Sequence, residues 1–269
     1  MPVDVSATVL ANTVLSHDYN VLALDAPEIA ATTAPGQFVM VKVGAGHDPL
    51  LRRPFSVFEV LREHGRPTGV SILVKRIGPS TRLLYSARPG DTVACLGPLG
   101  QPFSLVSPPA EGWMVAGGVG LAPFWTLAES LVQRGVRTTL FYGARTADEL
   151  FYLSYFRDLG VSLALTTEDG SAGERGRVVA PLERALQQRS AQEKVTIYTC
   201  GPEGMLEAVA HVAKRFERAC EVSVERIMGC GVGGCYSCVV PMRAEDGGAH
   251  HVRSCLAGPV LDAAQIVWD

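Results

Sequence analysis

The stretch Trp113-Met114-Val115-Ala116-Gly117-Gly118-Val119-Gly120-Leu121-Ala122-Pro123 separates two rhythms in the chain. Its first four residues carry no charge and read as a buried strand. The glycines read as a tight turn, and Pro123 suits the first position of a helix. Glycine at such a turn lets the backbone approach a phosphate closely, although the last position of the dinucleotide-binding fingerprint holds Pro here in place of Gly or Ala. The same glycines and proline break the apolar run from Trp113 to Ala128 short of the about 20 residues that a membrane span needs.

Downstream the pattern alternates. Apolar runs over 138–142, 162–166 and 195–200 read as further strands, and periodic segments over 123–134, 149–158, 178–188 and 204–218 as helices. Such alternation predicts a parallel sheet covered on both faces. A second strand-to-helix loop, Thr199-Cys200-Gly201-Pro202-Glu203-Gly204-Met205, closes the last of these units. Upstream, β-branched runs over 7–15, 19–24, 37–43, 54–60, 70–75 and 91–96 predict a six-stranded antiparallel barrel. Turns at Ala34-Pro35-Gly36, Gly44-Ala45-Gly46, Gly65-Arg66-Pro67 and Arg88-Pro89-Gly90 punctuate it, and one helix is expected over 81–87. The proline-bearing connector 104–111 reads as a linker.

The third part is short, glycine-rich and cysteine-rich, with too few apolar residues for an independent core, so a metal centre would explain its stability. Cys230-Gly-Val-Gly-Gly-Cys235-Tyr-Ser-Cys238 is followed after sixteen residues by Cys255. This C-x4-C-x2-C…C spacing is that of plant-type [2Fe–2S] ligation, with a last gap shorter than in many plant-type ferredoxins. Glycines free the loop to wrap the cluster and to aim N–H groups at its sulfur atoms. A zinc site with four cysteine ligands is the competing reading, but it favours two C-x2-C knuckles and only Cys235/Cys238 fits one. Cys95 and Cys220 read as buried structural thiols.

The whole chain has 269 residues, a formal net charge of −3, 47% hydrophobic and 19% charged residues, and seven cysteines. The length suits two domains, the charge balance gives no support for nucleic-acid binding, and the broken apolar run already noted gives none for a membrane. Met1-Pro2-Val3-Asp4-Val5 lacks the pattern of a signal peptide, and the odd cysteine count argues against a disulfide framework, so a cytoplasmic protein is expected.

Two barrel segments carry chemistry of their own. Arg52-Arg53-Pro54-Phe55-Ser56 opens a strand, and Lys75-Arg76-Ile77-Gly78-Pro79-Ser80-Thr81 runs into the helix, where Ser80 or Thr81 could cap. A helix N-terminus with an arginine nearby matches a pyrophosphate. Each feature alone is common, but Arg-Pro-Phe-Ser, Gly-x-Gly-x-x-Pro, Cys-Gly-Pro and a C-terminal four-cysteine loop in this order resemble the ferredoxin reductase superfamily. Within it, the stretch from Glu225 to Cys238 resembles the family of dihydroorotate dehydrogenase electron-transfer subunits, and the likeness extends from about Ala7 to Trp268.

The resemblance implies an FAD-binding β-barrel domain over 1–104, an NAD-binding α/β domain over 105–220 and a [2Fe–2S] domain over 221–269. Arg53, Pro54, Phe55 and Ser56 would contact FAD; Leu73, Val74 and Lys75 would lie along the flavin; Gly78, Ser80 and Thr81 would hold its pyrophosphate. Gly118, Gly120 and Pro123 would face NAD(H), with Cys200, Gly201 and Pro202 near the nicotinamide and Cys200 as the catalytic residue. Cys230, Cys235, Cys238 and Cys255 would ligate the cluster. Gly143-Ala144-Arg145 and Glu168-Asp169-Gly170 occupy further strand ends; Arg145 favours a 2′-phosphate, whereas Asp148 and Glu149 oppose one, which leans toward NAD(H).

Nicotinamide carries electrons in pairs and an iron–sulfur cluster singly, so a flavin belongs between them. The implied partner is an FMN-containing dihydroorotate dehydrogenase catalytic subunit, in a heterotetramer of two of each, docked near Tyr236 and Met228 as exposed apolar contacts. Two alternatives stay open: the small subunit of an NADPH–ferredoxin or sulfide-type oxidoreductase, and a zinc-bearing scaffold without redox function.

Overall fold

The computed structural model describes residues 1–44, 49–244 and 247–268. Ala45 and Gly46 of the turn expected at Gly44-Ala45-Gly46 lie outside the described residues. Six strands close into an antiparallel barrel: β1 (Val3–Val14), β2 (Tyr19–Asp25), β3 (Phe38–Val43), β4 (Arg53–Glu63), β5 (Arg66–Lys75) and β6 (Thr92–Leu99), in the order β1-β2-β5-β4-β3-β6. Closure pairs every strand on both sides and leaves no edge to aggregate. Strand periodicity sorts the side chains: Val70, Ile72 and Val74 of β5 turn into the barrel with Leu22, Leu24, Val39 and Val41, while Leu73 joins the core that faces the next domain. Two short helices decorate the barrel, α1 (Pro27–Ala30) and α2 (Pro79–Tyr85).

The second layer is a seven-stranded sheet. Its strands are β7 (Glu111–Gly117), β8 (Thr138–Ala144), β9 (Ser162–Thr167), β10 (Glu174–Arg175), β11 (Val195–Cys200), β12 (Ala219–Ser223) and the C-terminal strand Val260–Asp262. Their order is β10-β9-β8-β7-β11-β12 followed by the C-terminal strand, which alone runs antiparallel, along β12. Helices α3 (Phe124–Gln133), α4 (Leu153–Asp158), α5 (Val179–Gln187) and α6 (Glu203–Arg215) cover the two faces. Trp113 and Val115 of β7 pack with Leu182 and Leu206 on one side, and Met114 and Ala116 with Phe124 and Leu127 on the other. The connector before β7 lacks regular structure, but its expected last residue, Glu111, begins the strand and is buried in ion pairs with Arg137 and Arg189.

Three elements depart from the sequence reading. The helix expected over 149–158 is broken into a 3-10 turn, Ala147–Glu149, and α4. Tyr152 takes a φ of 59° between them, because Phe151 and Tyr152 are drawn onto the barrel, with rings 4.9 Å from Tyr19 and 4.7 Å from Phe58. Strand β12 runs across the expected boundary between residues 220 and 221. It and the C-terminal strand are short and weakly patterned; pairing with the sheet, not their own pattern, makes them strands. The rest of the C-terminal part is a hairpin, β13 (Val239–Arg243) with β14 (Ala249–Arg253), then α7 (Ser254–Ala257) and the strand already described, β15.

Candidate functional site

Chain order places β8 and β9 on one side of β7 and β11 on the other, so the strand order reverses between the parallel neighbours β7 and β11. Ligands of open α/β sheets bind at the carboxyl ends of the strands at such a point. Both glycine-bearing loops emerge there and press together. A Cβ on Gly120 would overlap the carbonyl of Cys200, and one on Gly117 would meet Pro202 and Met205 at 2.8 Å. Gly118 takes a φ of 53° and Gly201 one of 153°, which favours glycine at both. Residues Gly118–Leu121 form a 3-10 turn before α3, and Pro123 stands at the N-cap of that helix rather than at its first turn.

In front of these loops, a cleft of about 930 Å³ lies between barrel and sheet, a size within the range of about 300–1,000 Å³ usual for ligand sites. Arg53, Pro54, Phe55 and Ser56 line it from β4, Leu73 and Lys75 from β5, Gly78, Ser80 and Thr81 from the start of α2, and Cys200 from β11. Val74 points the other way, into the barrel core, because it alternates with Leu73 and Lys75. Gly118, Gly120, Pro123, Gly201 and Pro202 shape the loops, while Val119 and Ala122 present their surface to the cleft. The N-cap of α2 is Gly78, not Ser80 or Thr81. Thr81 instead reaches back, its Oγ1 accepting the N–H groups of Ile77 and Gly78, each at 2.9 Å. Arg53 donates to the carbonyls of Leu51 and Arg52, contacts that orient the guanidinium without neutralising it.

Cys200 sits opposite Ser223 in the sheet register. Burial holds its thiol far above the ordinary range, the carboxylate of Glu225 adds to this, and a hydrogen bond with Ser223 only partly offsets it. Cys200 is therefore a neutral thiol, not a thiolate nucleophile. Glu225 is itself raised by loss of water around it, with Lys75 opposing. Arg226 also lines the cleft and pairs with Glu203 at 2.8 Å, while its Nε is buried without a partner.

The segment Ser223-Val224-Glu225-Arg226-Ile227-Met228 thus forms a whole wall of the cleft. Sequence reasoning missed that role for it, as it did for Phe38 and Ile77. Two signals bore on the segment: it joins the last parallel strand to the first cysteine, and its part from Glu225 carries the family resemblance, but neither says that it faces a cleft.

The cysteine loop begins where that wall ends. Sγ of Cys238 and Cys255 are 3.3 Å apart and both residues are buried. Cys235 is in hydrogen-bond contact with Cys230. Ser237, through hydroxyl and N–H, and then Cys230 hold the Cys235 thiol down at about 6. Burial and then Cys238 push Cys255 up to about 12. The N–H of Gly234 donates to Sγ of Cys230 at 3.2 Å. Among the described residues, no three donors of the metal-binding kinds gather as a cage for one ion. Four thiols in two pairs, with a backbone N–H aimed at sulfur, fit a two-iron cluster better than a single zinc ion.

Cleft and loop share a wall. Phe38 and Met228 line the cleft and also belong to one buried cluster with Met40, Leu99, Cys238 and Cys255. Met228, expected as an exposed docking contact, is 5% exposed because it fills this joint; Tyr236 is 62% exposed.

A closed barrel, a parallel sheet with two apposed glycine loops and a four-thiol loop at the shared cleft define a flavin- and nicotinamide-dependent reductase with its own iron–sulfur centre. Comparison with known proteins agrees: an oxidoreductase FAD-binding domain matches residues 6–103, an oxidoreductase NAD-binding domain 114–211, and the iron–sulfur cluster binding domain of dihydroorotate dehydrogenase B 225–267. The chain belongs to the family of electron transfer subunits of dihydroorotate dehydrogenase B (NAD(+)). Relatives so named are 36% identical over 264 residues in Desulforamulus reducens, covering 98% of both chains, and 38% identical over 263 residues in Geobacillus kaustophilus, covering 97% of both. The solved structure of an NADH-dependent reduced ferredoxin-NADP oxidoreductase, described in connection with flavin-based electron bifurcation, superposes with a TM-score of 0.85 at 26% identity, covering 98% of this chain and 91% of that one. The ferredoxin reductase of carbazole 1,9a-dioxygenase shares the fold, with a TM-score of 0.67 at 21% identity over 80% of this chain and 66% of that one.

Proposed function

We propose that this chain carries electrons from a dihydroorotate-oxidising catalytic subunit to NAD⁺, through the cysteine loop and the cleft. The observation that carries the reading is the wall of Phe38 and Met228, which touches both the cleft and the buried cysteines. When bound there, FAD would couple the two-electron chemistry of nicotinamide to the one-electron chemistry of the cluster.

The chain's own residues bind and orient. Arg53 offers an un-neutralised positive charge on the cleft wall, Ser80 and Thr81 offer the first-turn N–H groups of α2, and Leu73 and Phe55 add apolar surface. Cys200, neutral and buried, presents a small polarizable surface where the two glycine loops meet. The leaning toward NAD(H) over NADP(H) is supported by Arg145, a cation beside the strand ends that is paired with Glu149 at 2.6 Å and lies near Glu168.

The partner we assign is an FMN-containing catalytic subunit in a complex of two copies of each, working in the cytoplasm. Among the described residues no helix is long and apolar enough to cross a membrane. Our division of the chain into 1–104, 105–220 and 221–269 is supported by the three matched stretches, each of which lies within one part, with β12 crossing the last boundary.

The test is reconstitution. The anaerobically purified chain should hold one FAD and two irons, and dihydroorotate-dependent NADH formation should need both it and the catalytic subunit. The second reading, a subunit of a ferredoxin–NADP-type oxidoreductase, rests on the likeness to that solved structure. Reconstitution that fails with the dihydroorotate-oxidising subunit but succeeds with a ferredoxin-dependent flavoprotein would favour it.

A further inference from the structure

One polar side chain inside the cysteine loop is neither a ligand nor a surface ornament. The Oγ of Ser237 accepts the N–H of Gly229 at 2.9 Å and lies 3.2 Å from Sγ of Cys235. The chain achieves this by placing Tyr236 in the left-handed region, with φ 57°, where residues with a Cβ are uncommon. Arg253 holds the turn in place: its guanidinium lies 4.6 Å from the centroid of the Tyr236 ring and donates to the carbonyl of Gly233 at 2.7 Å. The residue between the two cysteines is thus turned so that Ser237 folds back over Cys235.

Counting protons gives the direction of the contact. Between a thiol and a hydroxyl either atom could donate, but a metal-ligating cysteine has lost its proton. The only hydrogen then left between the two atoms belongs to Ser237. The N–H of Gly229 already occupies a lone pair on that oxygen, which leaves the O–H free to point at sulfur.

We infer that Ser237 donates a hydrogen bond to the thiolate of Cys235 and thereby raises the reduction potential of the [2Fe–2S] cluster. The inference rests on the reading that these four cysteines ligate the cluster. A donor at a ligand sulfur withdraws negative charge, and the reduced cluster carries one more negative charge than the oxidised one, so the reduced form gains more. Gly234 acts in the same sense on Cys230 through its backbone N–H, which no substitution but proline removes. The Ser237 donor belongs to a side chain and can be deleted.

The experiment is an EPR-monitored redox titration of the purified holoprotein and of Ser237→Ala, Ser237→Thr and Ser237→Val. The Ala and Val variants should have lower midpoints by about a tenfold change in the reduced-to-oxidised ratio, which is about 59 mV for one electron. The Thr variant should keep the parent value. Thr and Val have the same shape, so their difference isolates the hydroxyl from the packing of the loop. Equal midpoints for Thr and Val overturn the inference. So does loss of the cluster in the variants without a hydroxyl, since the serine would then serve assembly and not tuning. Iron and sulfide analysis of the unaltered protein separates the two levels: no iron there sinks the ligand assignment, whereas full loading with equal midpoints sinks only the role of Ser237.

Discussion

Gly120 lies so close to Cys200 that a single methyl group on it would overlap the Cys200 carbonyl oxygen and reach within 2.7 Å of the Gly201 Cα. The contact is backbone against backbone, so no rotamer can relieve it. It fixes the loop after β7 against the loop after β11 at the switch point of the sheet. Gly120→Ala should force these loops apart at a cost of about 1–3 kcal/mol. The expected result is a lower Tm and a raised KM for the nicotinamide dinucleotide, with iron and flavin content unchanged. An unaltered KM would mean that the apposition serves stability alone.

A second glycine seats the cysteine loop on the barrel. Gly231 has φ 74° and its missing Cβ would come 2.5 Å from Cγ of Met40, a residue fully buried beside Cys238 and Cys255. Gly231→Ala combines a left-handed penalty of about 1–2 kcal/mol with this overlap. Iron per chain should fall while flavin is retained, as measured by metal and flavin analysis of the same preparation. Equal loss of both would place the damage in the barrel instead.

How much of this was readable in advance follows from where each signal resides. The barrel, the alternating unit and the four cysteines are local patterns, since a strand or helix period and a ligand spacing need only neighbouring residues. The wall from Ser223 to Met228 is not local: it exists because β12 ends beside β11 and the chain must then cross to the barrel. Val74 and Leu73 show the same limit on a finer scale, since alternation says that they face opposite ways but not which of them faces the cleft. Met228 reads as a surface residue for the same reason, because Phe38 and Met40, which bury it, come from a strand far away in sequence.

The opposite end of the sheet offers a control. Glu111 is buried and receives Arg137, Arg189 and the indole N–H of Trp113, the last at 3.1 Å. Glu111→Ala would leave the buried indole N–H of Trp113 without an acceptor, whereas Arg189 keeps Glu193 at 2.6 Å and Arg137 is exposed; an unsatisfied buried donor costs about 1–3 kcal/mol. A fall in Tm is expected, with the midpoint of the cluster and the KM for dinucleotide unmoved. A shifted midpoint would show that this end of the sheet communicates with the site.

The interface of barrel and sheet should also respond to pH. Glu59 on β4 and Glu129 on α3 are both raised above the ordinary 4.5, mainly by burial; Arg62 opposes this in both, and Glu59 adds to it for Glu129. With folded-state values above the unfolded ones, the folded protein holds more protons than the unfolded chain just above pH 4.5. The stability contributed by the neutral carboxyls is therefore present below that pH and lost as pH rises through the raised values. Glu129→Gln keeps the shape and stays neutral at every pH. Its Tm should match that of the parent near pH 4.5 and exceed it at pH 7, so the two curves diverge as the parent ionises. Parallel curves would mean that Glu129 titrates as an ordinary carboxyl and that Arg62 already compensates its burial.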